Sequence, residues 1–143
     1  MDIVPHAVTD RIVQAIDAHD LDGLAACFAV DVSSETPAHP SRDFIGRDQV
    51  RRNWSRIFEA VPDIEAHVVR LVVDGTTEWT ELEFRGHRRD GGSHRMRGVT
   101  VNTVAAGVVT NVRFYVEPVD DAPIGADAAV ERILDAQPTG SAR

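Results

Sequence analysis

The chain has 143 residues, 43% hydrophobic and 27% charged, the make-up of one globular domain long enough to bury a core and keep a cavity. Its formal net charge of −8 argues against nonspecific binding to nucleic acid or to an anionic membrane surface. All 15 basic residues are arginine, which removes Schiff-base chemistry on a lysine, and the single cysteine, Cys27, excludes an intrachain disulfide.

The first residues, Met1-Asp2-Ile3-Val4-Pro5-His6, are neither basic nor followed by an apolar stretch. No run approaches the roughly 18 apolar residues of a membrane span. A cytoplasmic protein with no membrane partner is the expectation. Val8, Ile12, Ala15, Ile16 and His19 then follow helical spacing, so residues 6–19 read as an amphipathic helix. Asp20-Leu21-Asp22-Gly23 offers a break and a new N-cap for a short helix carrying Leu24, Cys27 and Phe28, with Cys27 as a small buried hydrophobe. Val30 to Thr36 reads as a strand, stopped by the loop Pro37-Ala38-His39-Pro40. Gly46-Arg47-Asp48 opens a third helix whose apolar face is Val50, Trp54, Ile57, Phe58 and Val61, with Asn53 beside that face.

Four strands follow. Ile64 to Val73 closes at Asp74-Gly75. In Glu78 to Gly86, Thr80, Leu82 and Phe84 share one face, and Trp79, Glu81, Glu83 and Arg85 the other. His94 to Val104 turns at Ala106-Gly107 into Val108 to Glu117. A two-residue turn there pairs Val101 with Val112 and Val99 with Phe114. That register gives one apolar face of Val99, Val101, Thr103, Val112, Phe114 and Val116, and leaves Thr100, Asn102, Arg113, Tyr115 and Glu117 on the other. A short helix over Ala126 to Leu134 and a loose tail complete the chain.

The segments Ala18 to Phe28, Phe44 to Val50 with Asn53-Trp54, and Gly107 with Arg113 to Pro118 resemble the SnoaL-like and ketosteroid-isomerase-like branch of the nuclear-transport-factor-2-like superfamily. The resemblance covers roughly residues 6–119. It implies an α+β domain over 1–119: a cone-shaped barrel whose curved, mostly antiparallel sheet wraps around three N-terminal helices. Residues 120–143 are then a C-terminal extension. It also implies a homodimer through the sheet. Its isomerases use a carboxylate base, a tyrosine and a protonated aspartic acid, which fall near Thr36, Ile12 and Val99. The cyclase histidine and aspartate fall near Thr100 and Phe114. None of these positions carries the group that the chemistry needs.

Other residues are therefore the candidates. His39, in the loop after the first strand, has the titration range for acid–base work, with Asp43 or Glu35 to orient it. Asn53 suits a hydrogen bond to a ligand carbonyl. The predicted ligand-binding wall is Trp54, Thr80, Leu82, Phe84, Val99, Val101, Thr103, Val112, Phe114 and Val116. Arg85 to Arg97 forms a basic hairpin with His87 and His94, suited to an anionic group. The six histidines show no metal-ligand spacing, and no nucleotide-binding or serine-hydrolase motif is present, so no metal or cofactor is expected. The expected function is a cofactor-independent isomerase, cyclase or dehydratase acting on a hydrophobic carbonyl compound of the steroid or polyketide kind. The alternatives are a non-catalytic module that binds a small hydrophobic molecule, and a sheet-mediated dimerisation or interaction domain.

Overall fold

The computed structural model describes residues 7–138. The helix start predicted at residue 6 and the predicted tail beyond residue 138 lie outside these described residues. In chain order the elements are α1 (Val8–Asp17), α2 (Leu21–Ala25), β1 (Phe28–Glu35), a single 3-10 turn (Pro40–Arg42), β2 (Phe44–Ile45), α3 (Arg47–Ala60), β3 (Glu65–Asp74), β4 (Thr77–His87), β5 (Ser93–Ala105), β6 (Val108–Pro118) and α4 (Ala126–Ala136). The six strands form one curved, unclosed sheet in the order β2-β1-β6-β5-β4-β3. Only β1 and β6 run parallel; every other pairing is antiparallel. The fold is therefore α+β, with a mostly antiparallel sheet.

Helix α1 has no capping side chain of its own, since Ala7 stands at its N-cap. A carboxylate from the sheet takes that role. Buried Glu78 accepts from the backbone N–H groups of Val8 (2.9 Å) and Thr9 (2.8 Å) and from the Thr9 hydroxyl (2.7 Å). Negative charge at the positive end of a helix is favourable, and two otherwise unpaired donors are satisfied. At the other end, Asp17 accepts from Ala66 N on β3. Helix α1 is thus tied to the sheet at both ends. Asp20 caps α2 by accepting from Gly23 N, as the sequence suggests.

The core lies between the helices and the inner face of the sheet. Ile16, Leu24, Val32, Ile64 and Val109 are almost fully buried there, each contributing about 1.5–3 kcal/mol. Cys27 is buried beside them. Trp54 of α3 packs edge-on against Phe84 of β4, with ring centroids 5.6 Å apart. This brings the third helix over the sheet.

The predicted β5–β6 register needs correction. The turn falls where expected: Ala106 (φ 51°) and Gly107 (φ 77°) are both left-handed, and Ala105 faces Val108. Val104 faces Val109, but Thr103 then faces Asn111, so Thr110 is an extra residue on β6. This bulge shifts every later pair by one. Val101 faces Arg113 and Val99 faces Tyr115, while Thr100 faces Phe114 and Asn102 faces Val112. A one-residue slip between strands exchanges the faces on which their side chains lie.

Beyond the sheet, Val119 N bonds Arg95 O and Arg95 pairs with Asp121 at 2.7 Å, holding the chain against β5 before α4 begins. Helix α4 matches the predicted short helix, but its apolar residues Val130, Ile133 and Leu134 remain largely exposed.

Candidate functional site

An open cavity of about 630 Å³ lies between the inner face of the sheet, α1 and α3. The helices contribute Ile12, Val13, Ile16, Trp54 and Ile57, and the sheet contributes Leu82, Phe84, Met96, Val112 and Phe114. Most of the wall is therefore apolar, with a few polar groups set into it, the usual form of a small-molecule site. Trp54, Leu82, Phe84, Val112 and Phe114 stand on this wall, where the sequence suggests them. So does Asn53, whose Oδ1 accepts a 2.8 Å bond from Gln49 Nε2 on the preceding turn. That bond occupies the amide oxygen and leaves the Nδ2 hydrogens as the group on offer.

The other predicted wall residues lie elsewhere. The bulge at Thr110 turns Val99, Val101 and Thr103 onto the outer face, opposite Tyr115, Arg113 and Asn111. Thr80 faces inward but is completely buried under α1, 3.3 Å from the Thr9 hydroxyl, and does not reach the cavity. Val116 also faces inward, yet lies in the packed core opposite Gly98 rather than on the wall.

His39 is likewise outside the cavity. Its Nε2 lies 2.8 Å from Glu117 Oε1, and neither Asp43 nor Glu35 orients it. Asp43 instead accepts from Thr36 N (2.7 Å), and Glu35 pairs with Arg113, which also donates to the Tyr115 hydroxyl (3.1 Å). These contacts hold the Arg113 guanidinium more firmly charged than usual, Tyr115 first and Glu35 second.

The same register change brings new groups inward. Thr100 and Asn102 replace the three outward residues on the β5 side of the wall, and both are buried. Further along β5, His94 is half-buried and lines the cavity beside Met96. Burial lowers its pKa below the ordinary 6.5, and the positive charge of Arg88 lowers it further. The imidazole is thus neutral at pH 7 and available to accept a proton. Alternation along β5 carries the signal for all three residues, because His94, Met96, Thr100 and Asn102 share one parity. Only the unmarked bulge hid which parity faces inward.

The basic hairpin is internally compensated. Arg85 and Arg97 both meet Glu83, Arg88 meets Asp90, Arg95 meets Asp121, and Arg89 donates to Glu59 O. His87 pairs with Asp63 at 2.8 Å and lowers that carboxyl's pKa through its hydrogen bonds. Little unpaired positive charge is left for an anion. Among the described residues no group of three or more His, Cys, Asp or Glu is placed to hold a metal ion, and no helix is long and apolar enough to cross a membrane.

The fold has many solved counterparts. One is a putative ketosteroid isomerase from Kribbella flavida, at 22% identity and TM-score 0.65, covering 82% of this chain and 81% of that one. A second is an LEH-like epoxide hydrolase from M. tuberculosis, at 19% identity and TM-score 0.66, covering 77% and 80%. A third, also from M. tuberculosis and in complex with estradiol-17beta-hemisuccinate, matches at 21% identity and TM-score 0.66, covering 76% and 89%. At such identities the likeness is one of fold, and the fold hosts several chemistries. No curated protein matches the sequence. The SnoaL-like domain family matches residues 9–112, most of the chain and every strand that walls the cavity except the end of β6, and the protein belongs to that family.

Proposed function

We propose that the cavity binds a hydrophobic carbonyl compound of steroid or polyketide size. On this reading the protein acts on it as a cofactor-independent isomerase, cyclase or dehydratase. The observation that carries it is the half-buried imidazole of His94 on the wall of a mostly apolar cavity, where burial lowers its pKa. A base whose pKa lies below neutrality is ready to take a proton from the carbon next to a carbonyl. Asn53 Nδ2 is the donor assigned to that carbonyl, and Trp54 is the adjacent wall. The estradiol hemisuccinate complex of a structural counterpart agrees with a steroid-sized occupant.

The test follows proton transfer directly. Incubation with a panel of cyclic ketones in heavy water is expected to exchange α-hydrogens, read by NMR, at a rate about 100-fold lower in His94→Gln. No exchange above buffer with the wild-type protein, or equal exchange in His94→Gln, would sink the assignment.

A second reading is a binding module without catalysis. It is favoured by one observation: among the described residues the only carboxylate on the cavity wall is Asp43, exposed and engaged by Thr36 N. Under that reading the same ketones bind but show no exchange. In either case we assign the outer face to a homodimer through the sheet. Trp79 (51% exposed) and Tyr115 (41%) lie there beside Val72, Val99 and Val101.

A further inference from the structure

We infer that Asn102 selects the ligand of this cavity, and that it selects a hydroxyl group carried on an apolar skeleton. The inference rests on the reading that the cavity holds a hydrophobic small molecule. Asn102 is 5% exposed and lines the cavity, and its Oδ1 has no hydrogen-bond partner among the described residues. Its neighbours differ in this respect. Glu78, its cross-strand partner on β4, has three donors, and Thr80 meets the Thr9 hydroxyl. Val112, its partner on β6, is apolar and offers nothing.

A buried acceptor left unpaired lowers stability, and native folds rarely carry one without a use. Leucine has the same branched arrangement of heavy atoms, is bulkier, and removes the penalty. An amide kept at this position points to a donor that arrives with the ligand. A hydroxyl supplies one. A ketone brings only acceptor lone pairs and requires the amide to rotate and present Nδ2 instead. A bare hydrocarbon leaves Oδ1 as unpaired as it is in the empty protein. The order of affinity is therefore alcohol, then ketone, then hydrocarbon. Thr100, two residues along the same face, gives the hydroxyl a second polar neighbour on the wall.

Three probes on one skeleton test this: androstane, androstan-17-ol and androstan-17-one. Binding is read from quenching of Trp54, in a Trp79→Phe background that removes the outer-face indole. The alcohol is expected to bind about 10-fold more tightly than the hydrocarbon, the equivalent of one buried hydrogen bond. Asn102→Leu is expected to erase that preference while the empty protein melts at a higher temperature. Asn102→Ala, which removes the acceptor without placing a second carboxylate opposite Glu78, is expected to lose the preference as well. It also carries the test should the leucine variant not fold. An alcohol preference that survives in Asn102→Leu overturns the assignment to Asn102. A wild-type protein that prefers the ketone overturns the hydroxyl. Failure of all three probes to bind overturns the apolar-cavity reading and this inference with it.

Discussion

Glu78 is the residue on which the closed side of the cavity depends. Helix α1 supplies Thr9, Ile12, Val13 and Ile16 to the wall, yet has no cap of its own. Glu78→Ala removes three hydrogen bonds to a buried carboxylate and leaves two backbone donors unpaired, while the Thr9 hydroxyl keeps its contact with Thr80. Bonds to a charged acceptor contribute about 1.5–3 kcal/mol each, but three on one group are not additive. Loss of a helix cap alone costs about 0.5–2 kcal/mol. A total near 3 kcal/mol follows, a sizeable part of the roughly 5–15 kcal/mol that holds a domain together. With an unfolding entropy of roughly 0.3 kcal/mol/K for a chain of this length, the melting temperature drops by about 10 °C. Urea unfolding followed by tryptophan fluorescence measures the loss, and circular dichroism gives the melting point. Glu78→Gln keeps the shape but turns an amide donor toward N–H groups, so it is expected to recover less than half of the loss. A change below about 0.5 kcal/mol in Glu78→Ala would refute the capping role, that being the size of an ordinary surface substitution.

Three further outcomes follow from named groups. His94 has a folded pKa below its unfolded value, so the unfolded chain binds more protons as the pH falls from about 6.5. Stability is therefore lost on the acid side of that value, and His94→Gln is expected to flatten this part of the stability–pH curve; an unchanged slope would show that the burial of His94 is not what opposes its protonation. Trp79→Arg is expected to shift a sheet-mediated dimer to monomer in sedimentation, and a wild-type protein that stays monomeric at high concentration removes the dimer. Deleting Thr110 straightens the hairpin yet keeps Asn111 opposite Thr103 and Val112 opposite Asn102, so Arg113 and Tyr115 stay on the outer face. A cooperative unfolding transition is expected to survive the deletion, and its loss would refute this account of the bulge.

Much of the fold is legible in the sequence because its periodicities are undisturbed. The spacing of Val50, Trp54, Ile57 and Phe58 gives α3 and its inward face, and alternation in β4 places Leu82 and Phe84 inside. Asp20 and Ala106-Gly107 mark a cap and a turn by residue types suited to those backbone conformations. The role of Glu78 was partly visible, since its parity matches Thr80 and Leu82 and a carboxylate on that face needs donors. The donors belong to a helix 69 and 70 residues away in sequence, and no local pattern names them. His39 shows the opposite limit. Its loop position makes it an acid–base candidate, but Glu117, 78 residues later, holds it outside the cavity.

The bulge explains why the site was less legible than the fold. Thr110 carries no proline or glycine to mark an irregularity, and the straight pairing it interrupts gives the more hydrophobic inner face. That pairing would collect Val99, Val101, Val112, Phe114 and Val116 inside with Thr103 beside them, and leave Thr100 and Asn102 out. The observed one keeps the apolar β6 residues inside and turns β5 over, so that Thr100 and Asn102 enter the cavity while Val99 and Val101 reach the outer face. Hydrophobic burial alone favours the first arrangement. Both registers leave Arg113 and Tyr115 on the outer face, but the straight one sets them beside Thr100 and Asn102, whereas the bulged one sets them beside Val99 and Val101. A single extra residue therefore produces both surfaces at once: an inner wall with polar groups to address a ligand, and an outer face apolar enough to meet a partner.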